Sequence, residues 1–251
     1  MKVELVSLTQ DPIKQMYFGA SRCRSSGDLS IYESAGMDVM KRVVESCIES
    51  GHLTVAEFVD MTFDVQGVDL NTVMQYLRHR HFSTLQRSGR HVVVGTAPEI
   101  EQVCVAFESN NEEELRKIVS DYFLVPDCCV RSAALAMISY HNALKSGVPV
   151  EQARRVLPQG MLTDLRIHCN FRALIEASRL RLCYRAQGEI RSLFEQFKEE
   201  LEWVSPEGAW MSKFLQRKCE ALHQCNEVNS CGYYHLAERS QDGQGKESGQ
   251  C

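Results

Sequence analysis

Residues 2–8, KVELVSL, alternate apolar and polar side chains, the period of a strand with one buried face. Residues 34–50 change period: apolar positions recur at helical spacing after Ser34, a residue suited to an N-cap, and Gly51 follows as a stop signal. In residues 56–66, AEFVDMTFDVQ, the positions Phe58, Val59, Met61, Phe63 and Val65 mostly alternate and predict a second strand. A helix over 69–78 then delivers the chain into a basic stretch, and residues 90–96 read as a short strand. A helical pair is expected over 111–146, interrupted near Pro126 and closed by SGVP, followed by a short helix at 149–156 ending at Leu157-Pro158. Residues 162–169, LTDLRIHC, alternate again, and helices are expected across 170–182, 186–203 and 206–222. The tail at 236–251 is polar, lacks periodicity and reads as disordered. Strands and helices are interspersed without strict alternation or internal repeat. The pattern predicts an α+β protein, a single domain over 1–235 with a small mixed β-sheet flanked by helices.

Composition narrows the function classes. At 251 residues and 44% hydrophobic, the chain has enough apolar material for a full core. A net charge of −5 argues against a general polyanion binder, so no nucleic-acid partner is expected. The opening MKVELVSLTQDP carries charge and alternates, unlike a signal peptide, and no apolar run approaches the length of a membrane span. A cytoplasmic protein without a membrane partner is expected. The 11 cysteines are scattered, odd in number and mostly inside apolar segments, which reads as reduced thiols. Cys219, Cys225 and Cys231, with His223 or His235, raise the question of zinc. Their spacing is five residues twice over, not the tight C-x2-C of most structural zinc sites, so packed or free thiols are the default and no metal is expected.

One stretch resists the bland reading. In residues 78–91, RHRHFSTLQRSGRH, seven of fourteen residues are Arg or His: Arg78, His79, Arg80, His81, Arg87, Arg90 and His91. A solvated helix end with an arginine-rich loop would explain it. Nucleic-acid contact would call for more basic residues over a wider surface and for stacking aromatics, whereas Phe82 is the only aromatic in the run. A small, multiply charged anion such as a nucleotide phosphate is the third reading. Arg forks bind phosphate bidentately, and Ser hydroxyls and Gly amides add donors; QRSGR holds all of these within five residues. Ser88 has Arg87 and Gly89 as neighbours and no adjacent base, so ligand contact suits it better than nucleophilic attack. Composition favours the third reading only modestly.

Order and spacing add more. Arg78-His79-Arg80 followed by Ser88-Gly89-Arg90 resembles the RHR-x7-S signature of flavin-dependent thymidylate synthases, the ThyX family. Upstream, GHLTVAEFVDMTFDV is similar to that family's block carrying His52, Thr54 and Glu57, and Gln75 matches its Q-x-x-R-H-R. Downstream, ARRVLP resembles an A-R-x-x-L-P element and gives Arg154. NFRALIEASRLRLCYRAQGEIR resembles the long element giving Asn170, Arg172, Arg181, Gln187 and Glu189, and CEALHQCNEVNSCG resembles the cysteine-bearing C-terminus of some members. The similarity covers most of residues 1–232.

The resemblance implies a homotetramer that binds FAD, dUMP and 5,10-methylenetetrahydrofolate, with NADPH reducing the flavin and dTMP as product. It implies that Gln75, Arg78, Gln86, Ser88, Gly89, Arg90, Arg154 and Arg181 hold dUMP. It places His52, Thr54, Glu57, Arg78, His79, Arg80, Asn170 and Arg172 toward FAD. Arg78, Arg90 and Arg181 would be the catalytic arginines, stabilising negative charge as it develops on the pyrimidine. Active sites would be shared, one protomer giving Gln75, Arg78, Arg154 and Arg181 and another the loop 88–90. No cysteine lies inside the signature, which fits direct reaction between flavin and substrate.

Each position also has a plainer use. His52 could cap a helix end, Glu57 could be a strand-face charge, Arg154 could decorate a surface, and Arg172 could pair with Glu176 one turn on. The chain also departs from the commoner pattern, with Gln86 for Glu, His91 for Tyr, Cys183-Tyr184-Arg185 for Asp-x-His, and Gly188 for Trp. The last removes an aromatic anchor and is expected to cost about 1 kcal/mol of helix propensity. A non-catalytic relative that keeps the nucleotide pocket is the competing expectation.

Overall fold

A computed structural model describes residues 1–24 and 34–234; the tail expected at 236–251 lies outside the described residues. Strand β1 (Lys2–Leu8) forms where the alternation predicts it, although only Val3 of it is buried. Helix α1 (Pro12–Arg22) was not expected. Its stripe of Ile13, Met16, Tyr17 and Ala20 has helical spacing, and Pro12 opens it where a missing N–H costs nothing. Helix α2 (Met37–Glu49) is capped at Gly36, not at the expected Ser34, and Gly51 follows it in the left-handed region at φ 82°.

The second strand begins later than its alternation suggests. Leu53–Phe58 wind into a 3-10 turn, and β2 runs Asp60–Asp69. Phe58, counted in the alternation, is exposed, whereas Val59, Met61, Phe63 and Val65 are fully buried. Asp69 ends the strand and caps α3 (Leu70–Tyr76), its carboxylate accepting the Thr72 N–H at 3.1 Å. The strand expected at 90–96 is absent. His91 and Val92 donate their N–H groups back to the Ser88 carbonyl, and Gly95 sits at φ 75°, so this stretch turns. The strand lies earlier, at β3 (Phe82–Gln86).

Helix α4 (Ala97–Glu108) was also unexpected; a capping box between Thr96 and Glu99 starts it. The expected helical pair follows as α5 (Glu112–Ser120) and α6 (Val130–Lys145). Then come α7 (Val150–Ala153), a 3-10 turn at Arg154–Val156, β4 (Leu162–Asn170) and α8 (Phe171–Arg181). The chain continues through α9 (Gly188–Val204), α10 (Pro206–Ser212) and α11 (Lys218–Ala221). The last two divide what periodicity suggested was one helix.

The four strands order β1-β2-β4-β3 in an α+β fold. The sheet is antiparallel where a mixed one was expected. The described residues gather into two compact units: Met1–Lys2, Asp64–Arg78 and Thr84–Arg166 form one, and Val3–Phe63, His79–Ser83 and the chain from Ile167 onward form the other. The first has a core of Val103, Leu115, Phe123, Ala134 and Met137 between α4, α5 and α6. In the second, Phe63 lies 4.5 Å from Phe197 and Phe194 5.3 Å from Phe197, centroid to centroid, while α1 packs on α2. No described helix is long and apolar enough to cross a membrane.

Candidate active site

The expected site residues fall on both units. In the first unit the loop after β3 carries Gln86, Ser88, Gly89 and Arg90. The Arg87 N–H donates to the Asp164 carbonyl at 2.9 Å, its guanidinium meets the Asp164 carboxylate at 3.0 Å, and Nη2 donates to the Leu162 carbonyl at 2.8 Å. These bonds anchor the loop to β4. Past that anchor the Ser88 Oγ accepts the Arg90 N–H at 3.3 Å. The Arg90 guanidinium pairs with Glu151 on α7 at 2.9 Å, in an exposed position.

Arg154 comes to the same loop. Its guanidinium lies 2.8 Å from where a Cβ at position 89 would stand, so a larger residue there would make the Arg154 side chain shift. Gln86, Ser88, Gly89 and Arg154 share the lining of a cavity of about 150 Å³. Tyr122 lines it too, its phenol pushed up to about 12 by burial and then by Glu99, so it stays a neutral donor. Among the described residues the guanidinium groups of Arg78 and Arg154 have no carboxylate partner.

In the second unit the expected residues are already engaged with one another. Arg181, the last residue of α8, donates its Nε–H to His79 Nε2 at 2.8 Å. That nitrogen therefore carries the lone pair, and the ring proton sits on Nδ1. Burial first, and the Arg181 charge second, lower the His79 pKa to about 4, so the ring is neutral at physiological pH. Phe82 and Phe194 flank it at 5.8 and 5.9 Å. Arg172 is bound twice, to Glu176 at 2.9 Å and to Glu57 at 2.6 Å. Its plainer pairing with Glu176 thus holds, and Glu57 stands on the 3-10 turn instead of a strand. Asn170 caps α8, its Oδ1 accepting the Ala173 N–H at 2.9 Å. His52 and Thr54 are exposed at the start of the 3-10 turn, and His52 makes no side-chain cap there. Arg80 is exposed and has no carboxylate partner among the described residues.

The departures from the commoner pattern also find their places. Gly188 is the first residue of α9, with open space where a Cβ would stand, so the cost expected of a glycine inside a helix does not arise. Tyr184 packs on Arg217, whose guanidinium carbon is 4.4 Å from the ring centroid, and Arg185 pairs with Glu227 at 3.2 Å. The carboxylates Glu151 and Asp164 escaped sequence reasoning because their partners are remote along the chain. Nothing in the alternating LTDLRIHC, which also holds Arg166, set Asp164 apart.

Residues 4–207 match the family described as thymidylate synthase complementing protein. The chain belongs to that family. A flavin-dependent thymidylate synthase of Sulfurisphaera tokodaii is 30% identical over 207 residues, 82% of this chain and 75% of that one. The Pyrococcus abyssi protein of the same name is 27% identical over 231 residues and 90% of each chain. Among solved structures, flavin-dependent thymidylate synthase ThyX from Helicobacter pylori, complexed with FAD and dUMP, superposes with a TM-score of 0.70 at 17% identity. It covers 86% of this chain and all of that one. A UMP/dUMP methylase, PolB from Streptomyces cacaoi, gives 0.64 at 22% identity over 85% and 93% of the two chains. Every expected site residue, from His52 to Arg181, falls within the span matched to the thymidylate synthase complementing family, and Cys219, Cys225 and Cys231 fall beyond it.

Proposed function

We propose that the chain catalyses the flavin-dependent methylation of dUMP to dTMP, with bound FAD, 5,10-methylenetetrahydrofolate as the one-carbon source and NADPH as the reductant. The observation that carries this reading is the family match over residues 4–207, within which the motif residues stand in order.

The side chains of both units support it. Among the described residues Arg78 and Arg154 have no carboxylate partner, which suits a doubly charged phosphate. The Ser88 hydroxyl and the Gly89 amide add neutral donors beside Arg154, and Gln86 lines the same cavity. Arg90 reaches the phosphate by leaving Glu151, an exposed pair of small worth. Arg181 contributes a fixed positive charge for the pyrimidine as it becomes electron-rich, and it adds to the burial that keeps His79 neutral.

The second unit's residues fit a flavin dinucleotide. Arg80 offers a guanidinium without a carboxylate partner among the described residues for a diphosphate, His79 an uncharged ring among aromatics, and His52, Thr54, Glu57, Asn170 and Arg172 polar contacts around them. FAD, when bound, supplies the hydride chemistry. The protein is proposed to work as a cytoplasmic homotetramer with sites shared between protomers.

The test is anaerobic incubation of flavin-loaded protein with dUMP, methylenetetrahydrofolate and NADPH, with the nucleotide followed by mass spectrometry. The expected mass gain is that of one methyl group in place of hydrogen. Flavin-loaded protein that binds dUMP but leaves its mass unchanged would make the chain a non-catalytic relative.

A further inference from the structure

Four cysteines from two distant segments line one cavity in the second unit. Cys183 lies two residues past the end of α8, and Cys219, Cys225 and Cys231 belong to the segment after α10. The cavity measures about 320 Å³, and all four side chains are free thiols. Three of the four lie beyond the residues that match the family, so the feature is additional to the site described above.

The thiols stand around a space. Among the described residues, no three Cys, His, Asp or Glu groups converge closely enough to share one metal ion. Tetrahedral zinc draws four sulfurs to about 2.3 Å from a single centre. An iron–sulfur cluster spreads its thiolates around a multi-atom core and needs room between them.

The rest of the wall suits an anionic occupant. Arg179, Arg181, Arg185, Arg217 and Lys218 line it, and Glu227 is its single carboxylate among the described residues. Arg217 is wedged between the rings of Tyr184 and Tyr233, 4.4 and 4.7 Å from their centroids. The Nε groups of Arg179 and Arg217 are buried donors without an acceptor among the described residues. Leaving such donors unsatisfied is costly, and cluster sulfurs accept hydrogen bonds of this kind.

We propose that Cys183, Cys219, Cys225 and Cys231 ligate an iron–sulfur cluster that ties the C-terminal segment to the end of α8. The cluster is a positioning element: Arg181 lines the same cavity, two residues from the Cys183 ligand. Four thiols lose their protons on ligation, and no electron transfer to substrate is involved.

The full chain, produced in iron-replete cells and purified anaerobically, tests this by its iron and acid-labile sulfide content and by electron paramagnetic resonance after dithionite reduction. Iron and sulfide in equal amounts, with a reduced-cluster signal separable from a flavin radical, are expected. Cys219→Ser, Cys225→Ser and Cys231→Ser should each lose most of both, whereas Cys104→Ser, in the first unit, should retain them. Thermal melting and flavin content of each variant separate ligand loss from misfolding, and the wild-type stoichiometry stands whatever the variants do. Zinc without sulfide, no metal in the wild-type chain, or full iron and sulfide in folded Cys225→Ser and Cys231→Ser would each overturn the cluster. None of these readings depends on dUMP turnover.

Discussion

Four expected site arginines differ between the two units: Arg78 and Arg154 in the first, Arg172 and Arg181 in the second. In the first, Arg78 and Arg154 have no carboxylate partner among the described residues, and Arg90 is held only by an exposed pair with Glu151. In the second, Arg172 is bound to two carboxylates and Arg181 to a neutral imidazole, both within the chain. Sequence motifs make these residues look alike. The structure separates cations with no carboxylate partner, or only an exposed one, among the described residues from cations employed in holding the protein's own groups. Mutating the first kind should cost binding, and mutating the second should also cost stability or shift a neighbour's charge.

The largest effect expected concerns sharing. Arg90→Ala in the first unit and Arg181→Ala in the second should each be nearly inactive alone. If each proposed active site takes the loop from one protomer and Arg181 from another, co-expression restores some sites. Random mixing in equal amounts leaves about one site in four with both arginines, since two independent halves must each be intact. Activity near a quarter of wild type is expected. A mixture as inactive as either parent, with mixed oligomers confirmed by native mass spectrometry, would place both arginines in the same protomer's site.

Next in size is the contrast between Arg154 and Arg172. Arg154→Ala removes a cation with no carboxylate partner among the described residues and should weaken dUMP binding by about ten- to a hundredfold, the worth of a charge-assisted contact, with little change in melting temperature. Arg172→Ala leaves Glu57 and Glu176 facing each other and should lower stability by about 0.5–1 kcal/mol, because the pairs are exposed and screened. Its dUMP affinity should stay near wild type. Calorimetric titration and urea unfolding of both variants measure the contrast; equal stability losses would abolish it. A smaller effect belongs to Glu151→Gln, which frees Arg90 from its exposed partner. Phosphate then no longer competes with a carboxylate, and dUMP affinity should rise by about two- to fivefold, the span of a surface ion pair.

What the sequence revealed follows the same physics. Central strands announce themselves because alternate residues are buried, as Met61, Phe63 and Val65 are in β2 and Leu165 and Ile167 in β4. The edge strand β3 has no fully buried residue, and Leu85 is 75% exposed, so it left no alternation to read. Helix α1 had a legible stripe, but Pro12 stood at its start and Gly19 inside it. The basic motif and its order were legible. The carboxylates that employ its arginines were not, since Arg90 meets Glu151 across 61 residues and Arg172 meets Glu57 across 115. Chain distance of that kind is settled only by the fold. The four-cysteine cavity failed for the same reason: three members had a visible spacing, and the fourth, Cys183, arrives from another helix end.

The smallest expected effect is the most specific, because it tests whether Arg181 acts on the protein's own histidine. The His79 pKa is lowered from 6.5 to about 4, by burial first and by Arg181 second. An unfolded chain protonates this ring as pH falls below about 6.5, whereas the folded chain resists until about 4. The unfolded state thus binds more protons in that window. The stability owed to neutral His79 is complete above 6.5 and drains away as pH drops toward 4. Urea unfolding of His79→Gln, which keeps an acceptor for the Arg181 Nε–H, should show a flatter profile than wild type across that window. The ring proton resonances of His79 should titrate with a midpoint near 4 in the wild type. In Arg181→Ala the midpoint should move up only part of the way to 6.5, because burial, the larger cause, remains. A wild-type midpoint at the ordinary histidine value would mean that Arg181 holds no neutral ring.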